Sequence, residues 1–167
     1  GGVGTSATNA LWLRADRGVY RDAGVTLAAN GDNVFQWNDM SGNTLFASEP
    51  FSLNRPDYQQ GVLNSKPVIR YSAASVDRLM ATGLVSGNQA SIWVVARHTS
   101  LPSPNPGLIQ GSSTGNAYSA TANLKHVGMW VNSTNTQPWG RGVRSDGTEL
   151  NITQTTATAS GTFYILN

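Results

Sequence analysis

Ala90-Ser91-Ile92-Trp93-Val94-Val95-Ala96-Arg97 is the most strand-like stretch of the chain, and its reading decides the fold. From Ile92 to Ala96 the apolar residues run without a break and are rich in β-branched side chains. Such a run predicts a central strand covered on both faces. Downstream, Leu101-Pro102-Ser103-Pro104-Asn105-Pro106-Gly107 places prolines at alternate positions. Proline has no amide hydrogen to give to a ladder, so regular pairing stops there.

Working outward, the same pattern recurs in short pieces. Ala10 to Asp16 is a brief apolar run between turn residues, which favours a strand over a helix. Val34-Phe35-Gln36-Trp37-Asn38 alternates, then breaks at Asp39-Met40-Ser41-Gly42-Asn43, a turn by composition. Lys66 to Tyr71 reads as a strand with Pro67 at its start, and Arg78 to Ala81 as a shorter one. Further strands are expected at 107–110, 126–131, 141–144 and 161–166. The stretch 150–160, rich in Thr, is expected as exposed strand or loop. Asp146-Gly147 signals a hairpin turn. Many short strands between Gly, Pro and Asn clusters imply a sandwich or jelly roll.

The bulk properties agree. One domain with a core fits 167 residues. Charged residues make up only 12%, yet five Trp, five Tyr and four Phe supply apolar material enough to offset ordering entropy. Net charge is +2 and the cations are scattered, with no basic run to track a phosphate backbone, so nucleic acid is not an expected partner. The absence of cysteine removes disulfides, thiol nucleophiles and zinc–thiolate sites. No apolar stretch approaches the roughly 20 residues of a membrane-spanning helix. Residues 1–8, rich in Gly, Ser and Thr, read as a linker or a mature N-terminus. The sequence stops at Thr162-Phe163-Tyr164-Ile165-Leu166-Asn167, inside an expected strand, which points to a domain incomplete at its C-terminus.

Taken in order, these pieces resemble a known family. Leu11-Trp12-Leu13-Arg14-Ala15-Asp16, then Val34 to Asn43, then Asn54-Arg55-Pro56, Lys66 to Tyr71 and Ile92 to Arg97 look like the opening of a bacterial laminin-G-like, concanavalin A-like lectin/glucanase domain. The resemblance covers roughly the first hundred residues. It departs at Ala73-Ala74-Ser75-Val76-Asp77, which only approximates the family's glycine–aspartate loop, and at the missing closing strands. It implies an all-β fold: a two-sheet antiparallel jelly-roll sandwich over residues 9–167, concanavalin-like and lacking its C-terminal strands in this chain. It also implies a secreted, bacterial cell-surface setting, in large exported proteins of gliding and polysaccharide-degrading bacteria, often type IX secretion substrates. Other chains of such an assembly are expected partners beside a polysaccharide or glycan.

Catalysis is not the expected activity. Concanavalin-fold glucanases need glutamates alternating on one strand. This chain has Glu49 and Glu149, far apart and each in an expected loop, where ordinary surface acids are favoured. His98 and His126 stand at strand ends without a nucleophile elbow or metal-ligand spacing. A lyase would need a set such as Tyr118, His126 and Arg141, an unspecific combination. Asp16, Asp22, Asp32 and Asp39 could offer oxygens to calcium, but no Asp-x-Asp-x-Asp-Gly loop is present, and turn capping explains Asp32, Asp39 and Asn43 more simply. No cofactor is expected.

A binding role is favoured over catalysis. Sugar sites combine flat aromatic faces with amides and guanidinium groups. Trp12, Trp37 and Trp93 lie in strand patterns and are expected in the core. Trp139, in an expected loop between strands, is the aromatic chosen for exposure, with Tyr118, Asn123 and Arg141 around it. The expected function is a non-catalytic carbohydrate-binding or adhesion module of a larger exported protein. The alternatives are a structural spacer and a glucanase- or lyase-type enzyme.

Overall fold

The computed structural model describes residues 8–72, 74–83, 91–100, 107–112, 126–132, 136–143, 148–154 and 156–166. The described regular structure is β-strand throughout, save one 3-10 turn at Ser52–Asn54, and every strand pairing is antiparallel. The chain divides into two compact units, Gly1–Ser86 and Gly87–Asn167.

In the first unit, β1 (Val19–Tyr20), β2 (Gln36–Asn38) and β3 (Phe46–Ser48) form a sheet in that order, and β4 (Asp57–Leu63) pairs with β5 (Lys66–Arg70). The β4–β5 connection is two residues, Asn64 and Ser65, closing on the Leu63–Lys66 pair. Both have positive φ, 48° and 62°. That is the type I′ geometry whose twist matches the flanking strands. Gly18 leads into β1 with φ +68°, the left-handed region that glycine adopts without a Cβ penalty.

The core of this unit is Val19, Val34 and Tyr58, with Trp37, Ile69, Leu79 and Ala28 packed against it. Burying each of the larger side chains contributes about 1.5–3 kcal/mol. Main-chain bonds lock the layers together: Val34 N–H donates to the Pro56 carbonyl (2.8 Å) and Tyr58 N–H to that of Asp32 (2.8 Å).

In the second unit, β7 (Gly107–Ser112), β8 (His126–Val131), β9 (Pro138–Val143) and β10 (Glu149–Thr153) form a sheet ordered β10-β9-β8-β7. β6 (Val94–Ala96) pairs with β11 (Tyr164–Leu166). Ala96, Tyr164 and Leu166 line one small apolar pocket together with Leu108 and Val131 of the larger sheet. The inner face of β6–β11 therefore faces the apolar side of the four-stranded sheet, as two layers sharing a core require.

Several expectations need correction. Ala10–Asp16 makes only an isolated bridge, Leu13 to Asp39, and Arg78–Ala81 only Met80 to Ser48. The expected central strand is paired over Val94–Ala96 alone, and Trp93 (58% exposed) and Val95 (57%) face out. Trp93 is thus not a core residue. Trp139 lies inside β9 and not in a loop. β4 was not foreseen: Asp57-Tyr58-Gln59-Gln60-Gly61-Val62-Leu63 has a polar middle, and it bends at a register shift between Gln59 and Leu63 that contains Gly61 (φ +70°).

Candidate functional site

The acidic residues of the first unit are engaged in holding its loops. Asp39 is buried and accepts from the amides of Trp12 (2.7 Å), Ser41 (2.9 Å) and Asn43 (3.1 Å), and from the Ser41 hydroxyl at 2.5 Å. Burial alone would raise its pKa, but these donors, led by the Ser41 hydroxyl, outweigh it and hold the carboxyl below the ordinary range. Asn43 Nδ2 ties the same turn to the Asn9 carbonyl at 2.6 Å. Asp32 accepts from Ala29 N–H (2.9 Å), and Asp22 from those of Val25 (2.9 Å) and Thr26 (2.8 Å). Asp32 and Asp39 cap turns as expected, whereas the Asn43 side chain reaches out of its turn to the Asn9 carbonyl. Among the described residues no group of three or more His, Asp or Glu is placed to hold a metal ion.

Glu49 corrects the expectation of a surface acid. It is 0% exposed, one carboxylate oxygen accepting Phe51 N–H at 2.9 Å and the other 2.7 Å from Arg78 Nε. That second contact is an ion pair without the alignment of a hydrogen bond. Arg55 donates to the Glu49 and Pro50 carbonyls (2.8 and 2.7 Å) and stacks on Phe35 at 4.5 Å. These contacts give Glu49, Arg78 and Arg55 structural roles: they staple the loop after β3.

His98 follows β6 and is partly buried, not solvated as expected. Thr158 Oγ1 has one proton, which it donates to the Thr136 carbonyl (2.8 Å). Its 2.9 Å contact with His98 Nε2 is then donated by the ring N–H. Nδ1 is buried without a partner. Gly161 N–H donates to the His98 carbonyl at 2.8 Å, so His98 pins the segment before β11 to the end of β6. His126 opens β8 and Glu149 opens β10.

The predicted ligand residues fall in the second unit. Tyr118 and Asn123 lie outside the described residues. Trp139 and Arg141 are two apart on β9 and so share one face of the sheet. The register sets Trp130 and Thr153 opposite Trp139, and Gly128 and Asn151 opposite Arg141. Asn151 is exposed, Trp139 half-buried and Arg141 only 9% exposed. Trp139 and Arg141 also make contacts of their own within the protein. Pro138 and Val131, on the alternate positions, are buried on the apolar side. The sheet is therefore two-sided: an apolar face toward β6–β11, and an opposite face carrying an indole, a guanidinium and an amide.

The aromatic that sequence reasoning misplaced is Trp93. By strand alternation it shares the outer face of β6–β11 with Val95 and Arg97, and Ile165 (73% exposed) lies across from Val95. The Arg97 guanidinium stacks over Phe163 at 4.8 Å. The fold thus defines an all-β protein of antiparallel sheets. No protein-family model, curated protein or solved structure matches the chain.

Proposed function

We propose that this protein is a non-catalytic carbohydrate-binding module, a jelly-roll domain of the laminin-G-like kind, serving adhesion in a larger exported bacterial surface protein. The observation that carries this reading is the shared face of Trp139, Arg141 and Asn151 on β9–β10. An indole offers a flat apolar surface to the C–H face of a pyranose, and an exposed amide pairs with its hydroxyls. Arg141, nearly covered and engaged within the protein, lies beside the indole on the same strand face. Tyr118 and Asn123, expected from the sequence beside Trp139, lie outside the described residues. The acids and histidine whose environments are described are engaged in turn capping, loop stapling and pinning, which favours binding over hydrolysis.

The test is a glycan and polysaccharide array probed with the wild type, Trp139→Ala and Trp139→Tyr. Circular dichroism confirms the fold of each. The reading expects at least about a tenfold loss with Trp139→Ala and partial retention with Trp139→Tyr. Unchanged binding by Trp139→Ala would remove the site.

A further inference from the structure

The net charge is not spread over the chain. Seven Lys and Arg balance seven acids in the first unit, whereas the second has Arg97, Lys125, Arg141 and Arg144 against Asp146 and Glu149 alone. The whole formal +2 therefore resides in residues 87–167. Both acids stand at the β9–β10 hairpin, and none lies in or beside β6 and β11 in sequence. Among the described residues Arg97 has no carboxylate partner: the ion pairs there, Arg14–Asp16, Arg21–Asp32 and Arg78–Glu49, all belong to the first unit. Its guanidinium carbon lies 4.8 Å over the Phe163 ring, within cation–π range, and the residue is exposed.

We propose that the outer face of β6–β11 is a second binding surface, taking an acidic oligosaccharide whose sugar ring stacks on Trp93 and whose carboxylate or sulfate pairs with Arg97. The proposal shares the ligand class of the preceding reading but not its surface. Trp93 and Arg97 are four residues apart on one strand face, about 13 Å at ~3.3 Å per residue. An oligosaccharide spans that distance and a monosaccharide does not. Val95 and Ile165, exposed between them, offer a low apolar saddle against which C–H faces can rest. Exposed apolar groups of this extent mark a contact surface, and the unpaired guanidinium selects an anionic occupant.

The experiment titrates a uronic-acid oligosaccharide and a neutral oligosaccharide of equal length into the full chain by calorimetry, at low and raised salt. The variants are Trp93→Ala, Arg97→Gln and Arg97→Lys, with Leu53→Ala, exposed in the first unit, as control. Expected are preference for the acidic chain and weakening by salt. Trp93→Ala and Arg97→Gln should each lose at least about tenfold, Arg97→Lys should recover part, and Leu53→Ala should change nothing. Acidic binding untouched by Arg97→Gln would overturn the proposal, as would no acidic binding at all. A dimer in sedimentation that Trp93→Ala dissolves would also overturn it, by giving the face to a second copy. Neutral-glycan binding abolished by Trp139→Ala stands or falls separately from every one of these outcomes.

Discussion

Asp39 shows how much a single side chain organises here. Its carboxylate collects donors from Trp12, Ser41 and Asn43, joining the N-terminal segment to the turn after β2. Because the folded pKa lies below that of the unfolded chain, about 3.9, its stabilisation is present above that value and lost as pH falls through the lower folded one. Asp39→Ala should cost about 1–3 kcal/mol at pH 7, and urea unfolding should show the difference from wild type shrinking at pH 3. An unchanged difference would mean that shape, not charge, holds the turn. The turn role was legible in Asp39-Met40-Ser41-Gly42-Asn43, because an Asx side chain readily caps the amides that follow it; the bond from Trp12, 27 positions away, was not. Glu49 was not legible: its partner Arg78 is 29 positions away, and nothing local distinguishes a buried acid from a surface one. Glu49→Ala should destabilise by roughly 2–3 kcal/mol, less than a fully enclosed pair because Arg78 is partly exposed. A loss below about 0.5 kcal/mol, the scale of a surface change, would return Glu49 to the surface class.

At the scale of elements, β8 at His126–Val131 and β5 from Lys66 lie where their apolar patterns said, whereas the run Ala10–Asp16 forms only an isolated bridge. β4 escaped because its pairing is set by the turn that follows it rather than by its own composition. Asn64 and Ser65 carry no hairpin signature of the Asn-Gly type, yet both adopt positive φ. Ser65→Gly should therefore stabilise the hairpin, by about 0.5–1 kcal/mol, since glycine reaches that conformation without a Cβ penalty. A lower thermal midpoint for Ser65→Gly would show that the serine side chain contributes more than its backbone strain. β6 teaches the opposite lesson. Its apolar run does form a strand, but a run cannot say how many neighbours cover it, and Trp93 and Val95 face out.

For the whole molecule, composition was sufficient for an all-β chain of antiparallel sheets, since Gly, Pro and Asn clusters leave no room for long helices. The division of charge becomes visible once the boundary between the two units is known, and the two-sidedness of the β7–β10 sheet depends on which strands pair, which only the register reveals. Trp139 and Arg141 were picked out for their chemistry, and the fold brings them onto one face; the strand that does so was expected only from Arg141 onward. The central claim is that this face binds glycans. The direct measurement is two-dimensional NMR of the isotopically labelled chain titrated with the best ligand from the array. Shifts concentrated at the Trp139 indole, Arg141 and Asn151 are predicted; saturable binding that leaves those three signals unmoved would contradict the account.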